Sequence, residues 1–107
     1  MSRHVHYAII EKARAIIADP EHWCRGSYAR GKGGTPVNAT DDSARRYCAM
    51  GALLLAAYEL TGELTLAHQL ADGAAKIVSP SGALVLVNDR AGHSAVIALF
   101  DEALVQQ

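Results

Sequence analysis

The stretch DSARRYCAMGALLLAAYEL, residues 42–60, decides the fold. From Tyr47 to Leu60 only Glu59 is charged, and no period-2 alternation is present. A helix apolar all round belongs in the middle of a domain rather than on its surface. The reading is therefore a buried central helix over Asp42–Leu60. Thr40, Asp41 and Asp42 suit its N-cap, where acidic groups also complement the helix dipole. Gly62 suits its C-cap. Cys48, Ala52 and Ala56 repeat at i, i+4, i+8, a ridge of small side chains against which a second helix packs closely. Cys48 is then a buried structural thiol, and Gly51 and Ala52 tolerate no added bulk.

Two amphipathic segments flank this core. In His4–Ala18, Val5, Ile9, Ala13, Ile16 and Ile17 recur at helical spacing, and Asp19-Pro20 ends the run. Glu21–Cys24 adds one turn carrying Trp23, a packing anchor. Glu63–Ile77 puts Leu66, Leu70, Ala74 and Ile77 on one face and stops at Pro80 and Gly82. Ala83–Val87 reads as a short strand or extended connection and Asn88–Gly92 as a turn. Ser94 caps a last helix, Ala95–Val105. With 20 alanines and only six aromatic residues among 107, closely packed helices are expected rather than a β-sandwich. The fold class is mainly α: one compact domain over residues 1–107, a bundle of about four helices. A long glycine-rich loop and room for a minimal extended pair complete it.

Composition narrows the function without naming it. Net charge is -1, and no basic recognition helix is present, which disfavours a nucleic-acid binder. The longest apolar run, Tyr47–Tyr58, is shorter than the roughly 20 residues that span a bilayer. No secretory signal is visible, and two cysteines are too few for a disulfide framework, so a cytoplasmic setting is expected. Charge is uneven: the chain to Tyr58 is net basic and the remainder net acidic. A homodimer would supplement a core of this modest size.

Arg25–Thr40 is the least regular stretch, with Gly26, Gly31, Gly33, Gly34, Pro36 and Asn38. Long loops in small domains are often functional. Glycine amides can converge on an anion, and lysine adds charge, although the pattern is not a Walker A loop. Arg25, Arg30, Lys32 and Gly33, with Arg45 and Arg46 downstream, are the candidate ligand-binding residues. An alternative chemistry uses Cys48 as a nucleophile, with His93 and Asp89 or Asn88 completing a thiol-hydrolase set. Cys24 with Cys48 is not a C-x-x-C pair, and His22-x-Cys24 lacks the ligand spacing of structural zinc. No metal and no cofactor are expected.

Trp23-Cys24-x-Gly26, Ala29-Arg30, Ala44-x-x-Tyr47-Cys48-Ala49-x-Gly51-Ala52 and Asn88-Asp89 occur in that order. In these blocks the chain resembles domain-of-unknown-function family 6197, a group of small bacterial and bacteriophage proteins. The resemblance runs over roughly Glu21–Leu104. It departs at Gly31, where the family often has an acidic residue, and at Val87, where an aromatic often precedes Asn-Asp. It implies a mainly helical fold and no particular activity. The expected function is a non-enzymatic binding module that takes a protein partner or a small anionic ligand at the basic glycine-rich loop. A small cysteine-dependent hydrolase or transferase using Cys48 is the alternative.

Overall fold

Alanines on facing helices let the helix axes approach, and the computed structural model, which describes residues 3–107, uses them throughout its core. Five α-helices are present among the described residues: α1 (Arg3–Ile17), α2 (Ala49–Thr61), α3 (Leu64–Val78), α4 (Leu84–Arg90) and α5 (His93–Val105). Three short strands, β1 (Ala29–Gly31), β2 (Pro36–Val37) and β3 (Ala44–Tyr47), lie between α1 and α2. Helix α2 packs between α1 and α3, and α5 closes the bundle against both. Ala13, Ala52, Ala56, Ala57, Ala67, Ala71 and Ala74 are fully buried at these crossings. Ile9, Ile10, Ile17, Leu53, Val96 and Phe100 fill the remaining space. The radius of gyration, 12.4 Å, is that of a compact globule near this length. Among the described residues, no helix is long and apolar enough to cross a membrane.

The central helix is shorter than the sequence suggests. It begins at Ala49, not Asp42, because Ala44–Tyr47 pairs as a strand with β1. Asp41 does not cap a helix. Its Oδ1 accepts hydrogen bonds from the Ser43 backbone N–H and hydroxyl, which fixes a turn ahead of β3. Cys48 is the N-cap: its backbone is extended and its Sγ accepts from the Gly51 N–H at 3.2 Å. Gly62 ends α2 in the left-handed conformation, as expected. Glu63 then caps α3 by accepting from the Thr65 and Leu66 N–H groups.

The C-terminal part also differs. Ala83–Val87 is not extended, and Asn88-Asp89 is not a turn: Leu84–Arg90 is one helix, with Leu84 and Asn88 buried four residues apart on its inner face. Gly92, at φ 97°, precedes α5, which starts at His93 without a cap from Ser94.

The glycine-rich segment is largely ordered by pairing. The sheet order is β2-β1-β3, both pairings antiparallel. A helical turn over Lys32–Gly34, with Gly33 and Gly34 at φ 79° and 86°, joins β1 to β2. Three strands thus replace the minimal extended pair. Ala29 is buried in the core, Gly31 is buried against Ser43 and Val37, and Arg30 between them is half-buried.

Candidate functional site

Two groups of candidate residues separate in space: a buried polar junction and an open basic cleft. The junction centres on Asn88, which is fully buried. Its Oδ1 accepts hydrogen bonds from Trp23 Nε1 (2.7 Å) and the Ala49 N–H (2.9 Å). Its Nδ2 donates to the Cys24 carbonyl and to Asp89 Oδ1, both at 3.1 Å. The partners fix the amide orientation, since N–H donors face one end and oxygen acceptors the other. Asp89 Oδ1 also accepts from the Gly26 N–H at 3.0 Å. Gly26 is in the left-handed region, at φ 81°. Arg25 donates to the Asp89 carbonyl and lies 5.1 Å from the centroid of the Trp23 ring.

Backbone bonds finish the junction. Cys24 N–H donates to the Tyr47 carbonyl, and Cys48 N–H to the Tyr28 carbonyl. Gly51 is required at its position, because a Cβ there would lie 1.9 Å from the Tyr28 carbonyl oxygen. The Trp-Cys-x-Gly, Tyr-Cys-Ala-x-Gly-Ala and Asn-Asp blocks therefore meet at one place. There they tie the first turn of α2 to the segment entering β1 and to the end of α4.

The thiol chemistry finds poor conditions in this junction. Cys48 stands at a helix N-terminus rather than a turn inside it, where N–H groups favour a thiolate. Burial outweighs them: desolvation pushes the thiol up to about 11, against opposition from the Gly51 and Met50 N–H groups. Cys24 is raised too, mainly by burial, although Arg30 and Arg46 pull the other way. Both thiols are free and buried. His93 Nε2 contacts the Ile17 carbonyl at 2.6 Å, with its ring edge-on to Trp23 at 5.7 Å, so its ring nitrogen is engaged away from both thiols. Asp89 is held below the usual carboxylate range, first by the Gly26 N–H and then by the Asn88 amide. It serves as an acceptor within the junction. Among the described residues, no three His, Cys, Asp or Glu side chains gather as a metal site requires.

The cleft lies at the other end of β1. Gly31, Lys32, Gly33, Gly34, Arg45 and Arg46 line a concavity of about 590 Å³. Four of the six candidate ligand-binding residues, Lys32, Gly33, Arg45 and Arg46, therefore line one cleft. The register explains how two consecutive arginines reach the same cleft. Arg30 pairs with Arg46 and Gly31 with Ala44, so Arg45 is the extra residue of a β-bulge. A regular strand would turn Arg45 and Arg46 to opposite faces; a bulge re-aims one of them.

Lys32, Arg45 and Arg46 are exposed, no carboxylate lines the cleft, and none of the three forms an ion pair among the described residues. Arg45 is steadied by donating to the Asp42 and Ala44 carbonyls. Lys32 in a helical conformation followed by left-handed Gly33 is the alternation that turns successive N–H groups toward a common point.

Arg25 and Arg30 are not free in the same way. Arg30 donates to the Arg25 and Gly34 carbonyls, bracing the loop, and Arg25 belongs to the junction. Sequence reasoning missed two features. The buried role of Asn88 was hidden by reading Asn-Asp as a turn. Tyr28 was not singled out, although the order Tyr28-Ala29-Arg30-Gly31 alternates large outward with small inward side chains, and Tyr28 is half exposed.

Residues 1–105 of 107 match the model of the Family of unknown function (DUF6197). No curated protein and no solved structure matches the chain.

Proposed function

The chain belongs to the family of unknown function DUF6197, and we propose that it works as a binding module for a small anionic ligand, held in the cleft between Gly31–Gly34 and Arg45-Arg46. One observation carries this reading: three cationic side chains from two separate segments converge on a cleft that no carboxylate lines. Arg30 and Arg46 also stand directly opposite each other across the sheet. Like charges in that relation are destabilising, and an anion held by Arg46 in the cleft reduces that repulsion. The volume falls within the roughly 300–1,000 Å³ usual for small-molecule sites. The junction around Asn88 supports the function indirectly, by fixing the strands that carry the arginines.

Calorimetric titration with inorganic tripolyphosphate tests the proposal. The wild-type protein is expected to bind, with affinity falling as salt screens the charges. A Lys32→Gln/Arg45→Gln/Arg46→Gln variant keeps the fold, since all three side chains are exposed, and is expected to lose binding by at least about tenfold. Equal binding by the variant, or no binding by the wild type, overturns it.

A further inference from the structure

An aromatic residue, Tyr28, stands at the opposite end of β1 from the cleft. Arg30 pairs with Pro36 on one side and Arg46 on the other, so these three side chains project from the same, outward face of the sheet. Tyr28 stands just ahead of β1, two residues before Arg30, and shares a concavity with Pro36, the residue paired with Arg30. Tyr28 is 49% exposed, while its carbonyl is engaged. The Tyr28 carbonyl accepts from the Cys48 N–H and lies against Gly51. Tyr28 therefore presents a ring on a rigidly held backbone. A second concavity, of about 540 Å³, lies beside that ring and is lined by Ser27, Tyr28, Pro36, Val37, Asn38 and Asp41. It offers hydroxyl, amide and carboxylate groups, which suit the polar edge of a heterocycle. Three residue steps lead from Tyr28 to Gly31, about 10 Å at the rise of extended chain.

We propose that the ligand of the cleft is a nucleotide, its phosphate chain held by Lys32, Arg45 and Arg46 and its base stacked on Tyr28. This rests on the anion-binding reading above and adds the identity of the ligand. An aromatic ring beside a positively charged groove is the arrangement that binds unpaired bases joined to phosphates, and every base offers a face to stack on. A small inorganic anion uses the basic end alone and leaves Tyr28 with no role. A free nucleoside triphosphate and a single-stranded oligonucleotide share the required chemistry.

The experiment compares three probes, ATP, an oligothymidylate of eight nucleotides and inorganic tripolyphosphate, on the wild type, Tyr28→Ala and Tyr28→Phe. Each is titrated at fixed ionic strength. ATP or the oligonucleotide is expected to bind the wild type at least about tenfold more weakly after Tyr28→Ala and nearly unchanged after Tyr28→Phe, because stacking needs the ring and not the hydroxyl. Tripolyphosphate binding is expected to be indifferent to both substitutions. Tyr28 dependence for ATP identifies a free nucleotide as the source; dependence for the oligonucleotide alone identifies a strand. Tripolyphosphate binding without any Tyr28-dependent binding of ATP or oligonucleotide overturns this inference and leaves the anion site standing. Loss of all three probes on the wild type overturns both.

Discussion

Replacing Asn88 with alanine removes four hydrogen bonds from a fully buried side chain. The consequence can be worked out group by group. The Ala49 N–H and the Cys24 carbonyl are left without this partner in the interior, and each unsatisfied buried group costs about 1–3 kcal/mol. Trp23 is only half-buried, so water recovers part of its loss. Asp89 keeps its bond from Gly26. The sum is about 3–5 kcal/mol, a large share of the roughly 5–15 kcal/mol that stabilises a domain. Asn88→Asp separates the donors from the acceptors. It keeps the oxygen that accepts from Trp23 and Ala49. It also aims a carboxylate oxygen at the Cys24 carbonyl and at Asp89. The introduced carboxyl is expected to have a raised pKa in the folded state. Its stability relative to Asn88→Ala should therefore improve as pH falls from 7 toward 4, where it becomes protonated and donates. Urea unfolding of the three proteins across that range is the assay. A loss below about 1 kcal/mol for Asn88→Ala would refute the claim that this side chain holds the junction together.

Three further outcomes follow from the same geometry. Gly51→Ala drives a Cβ into the Tyr28 carbonyl, a main-chain clash that only backbone movement relieves, so unfolding should show a loss of at least about 2 kcal/mol. Cys48, with its thiol near 11, is ionised in about one molecule in a thousand at pH 8, so alkylation of the native protein should be slow. Because an unfolded thiol ionises near 8.5, stability is fully present below that pH and should fall as pH rises from there toward 11; rapid native labelling at pH 8 would show an open thiol instead. Asp89 is held below its ordinary range by Gly26 and Asn88. Its contribution is present above about pH 4 and lost as pH falls through the depressed folded value, so Asp89→Asn should flatten the acid limb of a stability–pH profile.

The helices were legible where a single period ran unbroken. The α3 segment shows its apolar face and its proline and glycine stop in plain order, although Glu63 proves to be its cap and not its first residue, and Gly62 behaves as a C-terminal glycine does. The sequence misled where one apolar run crossed two kinds of structure. Tyr47-Cys48-Ala49 looks like helix interior, but the chain changes from strand to helix at Cys48, a choice made by pairing with β1 some fifteen residues earlier. Leu84–Arg90 is too short for its period to be told from extended chain, and its helical state comes from burying Leu84 and Asn88 together. The basic cleft was partly legible, because glycines and unpaired cations are visible as letters. The division of labour among the cations was not: whether an arginine braces a loop, as Arg30 does, or stands free, as Arg46 does, depends on the bulge at Arg45 and on which carbonyls lie within reach.

The proposed anion site lies at the tip of the sheet. Backbone amide NMR of the labelled protein, titrated with inorganic tripolyphosphate, tests it residue by residue. The predicted result is a saturable set of shifts confined to Gly31, Lys32, Gly33, Gly34, Arg45 and Arg46, with the α3 and α5 amides unmoved. Saturable shifts centred elsewhere on the protein, or none at millimolar anion, would contradict it.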